Sequence, residues 1–276
     1  MPPTSRRGRI VSLIVALTVL AAGGLLAARR LTAKPKAREV RQALWDELRP
    51  VALKNCDLQR FGSKHDGGYL MCANLLDGVQ AAYSYGIDTE DNWGCEVARR
   101  LRVPVQQYDC FTPHRPTCDG GTFIYHNECI GPKADTIDGR LFDSLARQIA
   151  KNGDDGKRLL IKIDIEGAEW ESLLATDDAQ LARVDQLPME LHGVNQARFT
   201  QVIQKLKRNF HLVSVHFNNW ACSGASAPFP AIAYQVLFVN KRLGELDPAG
   251  TPRAPGSPPD APDNPDAPDC QALAAR

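Results

Sequence analysis

The sequence predicts an α/β fold, a largely parallel sheet with helices on both faces, on three observations. Segments of strand and helix character alternate between Ala81 and Arg208, and alternating β and α units produce parallel strands joined by crossover helices. The apolar, β-branched run Leu159–Ile163 has the length and bounds of a central strand. Carboxylates and histidines recur where predicted strands end (Asp109, Asp164, Glu190, His192, His216), which places polar groups along one sheet edge.

The elements follow in order. Ala81–Tyr85 reads as a strand, Asn92–Leu101 as a helix and Val105–Tyr108 as a short strand. Thr122–His126 reads as a strand. Ile137–Lys151 has helical spacing at Leu141, Leu145 and Ile149 and stops at Asn152-Gly153. Leu159–Ile163 leads into a helix at Ala168–Ala175. Leu187–Leu191 reads as a strand, with Pro188 marking its start or a distorted edge. Gln196–Arg208 is helical. Phe210–Phe217 and Tyr234–Asn240 are strands with no crossover helix between them, so they pair antiparallel. The sum is seven strands, mostly parallel, with a final antiparallel strand.

The flanks differ from this core. Residues 1–9 are a basic leader, and Ile10–Ala28 carries no charge. At 1.5 Å per residue that run spans roughly 28 Å, the hydrocarbon thickness of a bilayer. It is expected to be a single-pass anchor, with a signal peptide as the alternative. Basic residues precede and follow it (Arg6, Arg7, Arg9; Arg29, Arg30, Lys34), so the positive-inside rule gives no orientation. Residues 29–55 form a juxtamembrane linker with an amphipathic helix at Val40, Leu44 and Leu48. The folded domain spans 56–247. Residues 248–276, rich in Pro, Ala and Asp, are expected to be a disordered tail. None of the cysteines in the folded region forms a C-x-x-C pair, so zinc spacing is absent and no metal is expected. Disulfides are the better reading, and they place the domain on the non-cytosolic side of the membrane. A net charge of +1 without a clustered basic face argues against a nucleic-acid partner.

The candidate chemistry lies at the strand ends. Gly86 permits a sharp turn after the first strand, where α/β sheets bind nucleotide or adenosyl groups. The loop has one Gly and three acids, Asp88, Glu90 and Asp91, which disfavours phosphate and suits a cationic sulfonium. Asp109 has the spacing of a ribose-binding acid. Asp164 and Glu166 end the central strand, and Glu169 reads as a helix cap. Glu190 and His192 share a face of the next strand by period two. His216 and Asn218 end a further strand.

The segment LIKIDIEGAEWESLL (Leu160–Leu174) resembles the hallmark of the FkbM-type methyltransferases and their methyltransferase-like relatives. Gly62, Asp66, Gly67 and Gly68 resemble the G-x-x-x-D-G-G segment of the latter, and YSYGIDTED, VQQYD, PMELH and HFNNW follow in matching order, over roughly Cys56–Asn240. The resemblance implies a Rossmann-like class I methyltransferase with S-adenosylmethionine as cofactor. Gly86 and Asp88 would lie by the cofactor, Asp109 would hold its ribose, and Asp164 would face methyl and acceptor. The expected activity is O-methyl transfer to a small-molecule or glycan-like acceptor. Asp164 or His192 would be the base, Glu190 an orienting group, and Glu166, His216 and Asn218 substrate contacts. A neutral histidine suits proton removal near pH 7. Two alternatives stand: a non-catalytic binding protein of the same fold, and a membrane-anchored glycosyltransferase, whose D-x-D metal motif Asp164-Ile165-Glu166 faintly resembles.

Overall fold

The computed structural model describes residues 36–270. The expected anchor at 10–28 lies outside them, and among the described residues no helix is long and apolar enough to cross a membrane.

The first helix, α1 (Ala37–Glu47), buries Val40 and Leu44. A hairpin follows, β1 (Leu58–Gly62) paired antiparallel with β2 (Gly68–Cys72) and closed at its base by the Cys56–Cys72 disulfide. The core then alternates as expected: β3 (Ala81–Tyr85), α2 (Asn92–Leu101), β4 (Val105–Tyr108), β5 (Phe123–His126). Asp91 caps α2 by accepting from the Gly94 amide at 2.8 Å, and Arg102 ends it in the left-handed conformation.

The stretch read as one helix from Ile137 is not one. It forms a three-stranded flap of β6 (Cys129–Ile130), β7 (Asp135–Ile137) and β8 (Arg140–Asp143), and only α3 (Leu145–Lys151) is helical. Asp138 and Gly139 both take positive φ, 51° and 77°. They form the tight two-residue connection for which Asp-Gly is the strongest short signal.

The chain continues through β9 (Leu159–Ile163), α4 (Glu169–Ala175), α5 (Asp178–Ala182), β10 (Val184–His192), α6 (Ala197–Asn209), β11 (Phe210–Phe217) and β12 (Ala233–Asn240). Pro188 starts no strand and marks no edge. It sits inside β10 opposite Leu237 of β12, and the register shift of that strand comes earlier, between Val184 and Gln186.

The main sheet has seven strands in the order β11-β12-β10-β9-β3-β4-β5. The pairs from β10 to β5 are parallel, and β12 runs antiparallel between β10 and β11. The arrangement is compatible with a Rossmann-like sheet. Side chains alternate between two cores. Tyr83, Tyr85, Ile161 and Ile163 pack with α1, α3, α4 and α6, whereas Ala82 and Leu160 pack with α2 and the hairpin.

Residues 248–270 depart from expectation. They form no helix or strand, yet Asp263 is 1% exposed and Cys270 is bonded to Cys222. The segment is a strap across the hairpin and the β11–β12 edge. Polar anchors and a disulfide supply the order that its composition alone cannot. All eight cysteines are paired, the remaining bonds being Cys95–Cys118 and Cys110–Cys129.

Candidate functional site

Strand register gathers the candidate residues. Tyr85 lies opposite both Ile163 and Tyr108, and Ile163 lies opposite Met189. The next residues along these strands, Gly86, Asp164, Asp109 and Glu190, therefore emerge on one edge. The chain turns to opposite sides after β3 and β9, and α/β sheets bind ligands at such a switch point. A stack of Tyr85, Tyr108 and His126 stiffens the edge, with ring centroids 5.0 and 4.3 Å apart.

Gly86 is dictated by space. It has φ +71°, and a Cβ there would lie 1.6 Å from the Asp164 carbonyl oxygen. Lys162, 6% exposed, donates through Nζ to the Tyr85 and Gly86 carbonyls and stands 3.7 Å from Asp164 Oδ2. The hairpin adds Tyr69, whose hydroxyl donates to Asp164 Oδ2 at 2.7 Å. Asp164 is thus held from two sides.

Asp109 is occupied. Its Oδ2 accepts from the Ile87 and Asp88 amides at 3.2 and 3.3 Å, and its Oδ1 from those of Phe111 and Thr112 at 2.8 and 3.0 Å. A carboxylate has about four acceptor sites, so Asp109 shapes the loops after β3 and β4 and has no free site for the ribose expected of it. Asp88, in the left-handed region at φ 45°, accepts from the Thr112 hydroxyl at 3.2 Å.

The turn after β9 holds Glu166 at φ 57° with its side chain 87% exposed. Glu169 shapes this turn. It is fully buried, and its Oε1 accepts from the Ile165 and Gly167 amides at 3.0 and 3.2 Å and lies 2.9 Å from His192 Nδ1. Beyond the cap expected of it, Glu169 orients His192. The other ring nitrogen, Nε2, stands 3.6 Å from Glu190 and Glu166 and 4.0 Å from Asp164. Burial works to lower the His192 pKa, but the bond to Glu169 and the charges of Glu169, Glu190 and Asp164 outweigh it and raise it. The surrounding carboxylates thus favour the imidazolium over the neutral ring expected of a base. Burial and the Asp164 charge push the Glu190 carboxyl up, while Asn218 donates to its Oε1 at 2.8 Å. Among the described residues, Asp164, Glu166 and His192 form one group whose ligand atoms lie within 4.8 Å of one another, a spacing that a metal ion fits.

Two pockets meet here. One, of about 390 Å³, has apolar walls from Tyr108, Phe111, Ile130 and Phe142. The other, of about 580 Å³, is polar and includes Asp66, Glu190, Asn218 and Trp220. Both are lined by Gly86, Asp88, Asp164 and Glu166.

His216 is not in this crevice. It is 3% exposed and lies beneath the strap, with Nδ1 3.2 Å from Asp260 and Nε2 3.2 Å from Asp269, which removes it from the expected substrate contacts. Sequence reasoning missed Tyr69, Lys162, Phe142, Trp220 and the orienting role of Glu169. Tyr69 directly follows the Asp66-Gly67-Gly68 segment, the one local signal that pointed to it. No family model and no curated protein matches the sequence.

Proposed function

We propose that the chain is an S-adenosylmethionine-dependent, class I methyltransferase related to the FkbM type, transferring a methyl group to an oxygen of a small-molecule or glycan-like acceptor. One observation carries this reading: an apolar and a polar pocket abut at Gly86, Asp88, Asp164 and Glu166. In-line displacement needs donor and acceptor on opposite sides of one point, and holding them so accounts for much of the rate. The sheet order supports it. Counted by sequence within the large sheet, the order is 3-2-1-4-5-7-6, a doubly wound sheet with an antiparallel last strand.

The residues fit an adenosyl sulfonium. The walls of Tyr108, Phe111, Ile130 and Phe142 suit a purine and lie within the size range of small-molecule sites. The carboxylates Asp88, Asp164 and Glu166 repel phosphate and favour a cation. Asp109 being saturated, the ribose hydroxyls fall to Asp88. When bound, S-adenosylmethionine supplies an electrophilic methyl group. Asp164, held by Tyr69 and Lys162, orients the acceptor hydroxyl. Asp164 then takes up the proton that hydroxyl releases, Glu190 orients the acceptor beside the His192 cation, and Glu166 contacts the acceptor. The paired cysteines agree with a lumenal, periplasmic or extracellular domain, tethered by the apolar run at 10–28.

A second reading, a cofactor-free binding module on the same fold, is favoured by the saturation of Asp109. Native mass spectrometry of the purified full chain with added S-adenosylhomocysteine separates the two. The methyltransferase reading expects one adenosyl ligand per chain. A spectrum of folded, ligand-free protein at saturating ligand would favour the binding module.

A further inference from the structure

The polar pocket has two walls from outside the parallel sheet. One is the hairpin turn at Asp66 and Gly67, the other the turn after β11 with Asn218 and Trp220. Both are fastened to the strap at 248–270. On the hairpin side Asp260 accepts from Arg60 Nη1 at 2.8 Å, with both side chains under a tenth exposed, and the Asp66 amide donates to the Asp263 carbonyl at 3.3 Å. On the sheet side Asn219 Nδ2 donates to the Asn264 and Ala267 carbonyls at 2.9 and 3.0 Å, and its Oδ1 accepts from the Asn264 amide at 2.7 Å. Gln235 Nε2 donates to Asp263 Oδ1 at 2.9 Å. No strap residue lines either pocket, so the strap reaches the polar one through these two turns and has no such link to the apolar one.

The strap lacks helix and strand, so these polar anchors and its one covalent tie hold it. That tie, Cys222–Cys270, begins two residues after Trp220. Cys222 is the one exposed cysteine of the eight, the others being buried or half-buried. Accessible disulfides exchange first with thiols, and segments with few apolar contacts open first.

We propose that the strap positions the two outer walls of the polar half of the crevice, the turns at Asp66 and at Asn218–Trp220, and that the Cys222–Cys270 disulfide is its release. Describing that half as the acceptor side rests on the methyltransferase reading; the release itself does not. In the release step a thiolate of a dithiol attacks one sulfur of the Cys222–Cys270 bond and forms a mixed disulfide. The second thiolate of the dithiol then closes it to a cyclic disulfide. The two cysteines leave as thiols, reduced by two electrons, and the dithiol is oxidised by two. The freed strap loosens the turns at Asp66 and at Asn218–Trp220 together and leaves the apolar pocket unchanged.

The test uses the oxidised full chain, titrated with dithiothreitol, trapped with an alkylating agent and mapped by mass spectrometry, with hydrogen exchange read on the partly reduced species. Cys222 and Cys270 are expected to be alkylated before the other six cysteines. Residues 63–68 and 216–222 should then exchange at least tenfold faster, and residues 109–112 and 129–143 at an unchanged rate. Asn219→Ala, which leaves the disulfide in place, should loosen the same two segments. Earlier reduction of another disulfide, unchanged exchange at 63–68, or equal loosening of both halves would overturn the proposal. Parallel titration with S-adenosylhomocysteine keeps the two readings apart. Equal binding before and after reduction supports the division of the crevice. A lack of binding in both states counts against methyl transfer, and the exchange result still decides the release.

Discussion

Gly86 and Glu169 show how single residues build the site. A methyl group at Gly86 would collide with the Asp164 carbonyl at 1.6 Å, on a backbone already at φ +71°. Gly86→Ala should therefore cost more than about 3 kcal/mol in urea unfolding, the range reached when backbone strain and a clash combine. Glu169 is buried with two amides and His192 on one oxygen. Glu169→Ala should destabilise by about 3 kcal/mol, since it leaves the Ile165 and Gly167 amides and His192 Nδ1 without their shared acceptor. Glu169→Gln keeps an acceptor for the amides, so it should cost less and still lower the His192 pKa, read as an earlier imidazole titration by NMR. An unchanged titration would contradict the orienting role of Glu169.

The elements that carry strong local periodicity were legible in the sequence: β3, α2, β4 and β9 fall at their expected bounds. The flap was not, because the apolar spacing of Leu141, Leu145 and Ile149 imitates a helix while Asp138-Gly139 sets a hairpin. The strap was not, because its order comes from distant partners such as Arg60, His216 and Cys222 rather than from its own apolar content. The same reason hid half the site. Asp164 and Glu190 announce themselves at strand ends, but Tyr69 meets Asp164 across 95 positions. The flap supplies Ile130 and Phe142 to the apolar pocket. Replacing Asp138-Gly139 by Ala-Ala removes residues suited to positive φ and should lower adenosyl affinity about tenfold, with melting temperature shifted by only a few degrees. Equal affinity in calorimetry would detach the flap from the site.

Across the whole molecule, the strap ties the hairpin to the β11–β12 edge, and the strength of that tie depends on pH. Burial opposes the charge on His216, but Asp260, Asp269 and Asp263 raise its pKa to about 9. A raised folded pKa means its contribution is full below the unfolded value and lost as pH climbs through about 9. Burial lifts Asp263 to about 6, so its contribution is likewise present at low pH and fades as pH rises through 6. Both predict a strap held most tightly in mild acid. Melting temperature should fall from pH 6.5 to 9 in the wild type and stay flatter in His216→Gln. The central claim remains that the apolar and polar pockets seat a methyl donor against an acceptor. Isothermal calorimetry of the full chain with S-adenosylhomocysteine tests it most directly. The account predicts a saturable one-to-one isotherm that weakens at least tenfold in Phe142→Asp. Folded wild-type protein that takes up no ligand, or a Phe142→Asp variant that binds as well as wild type, would contradict it.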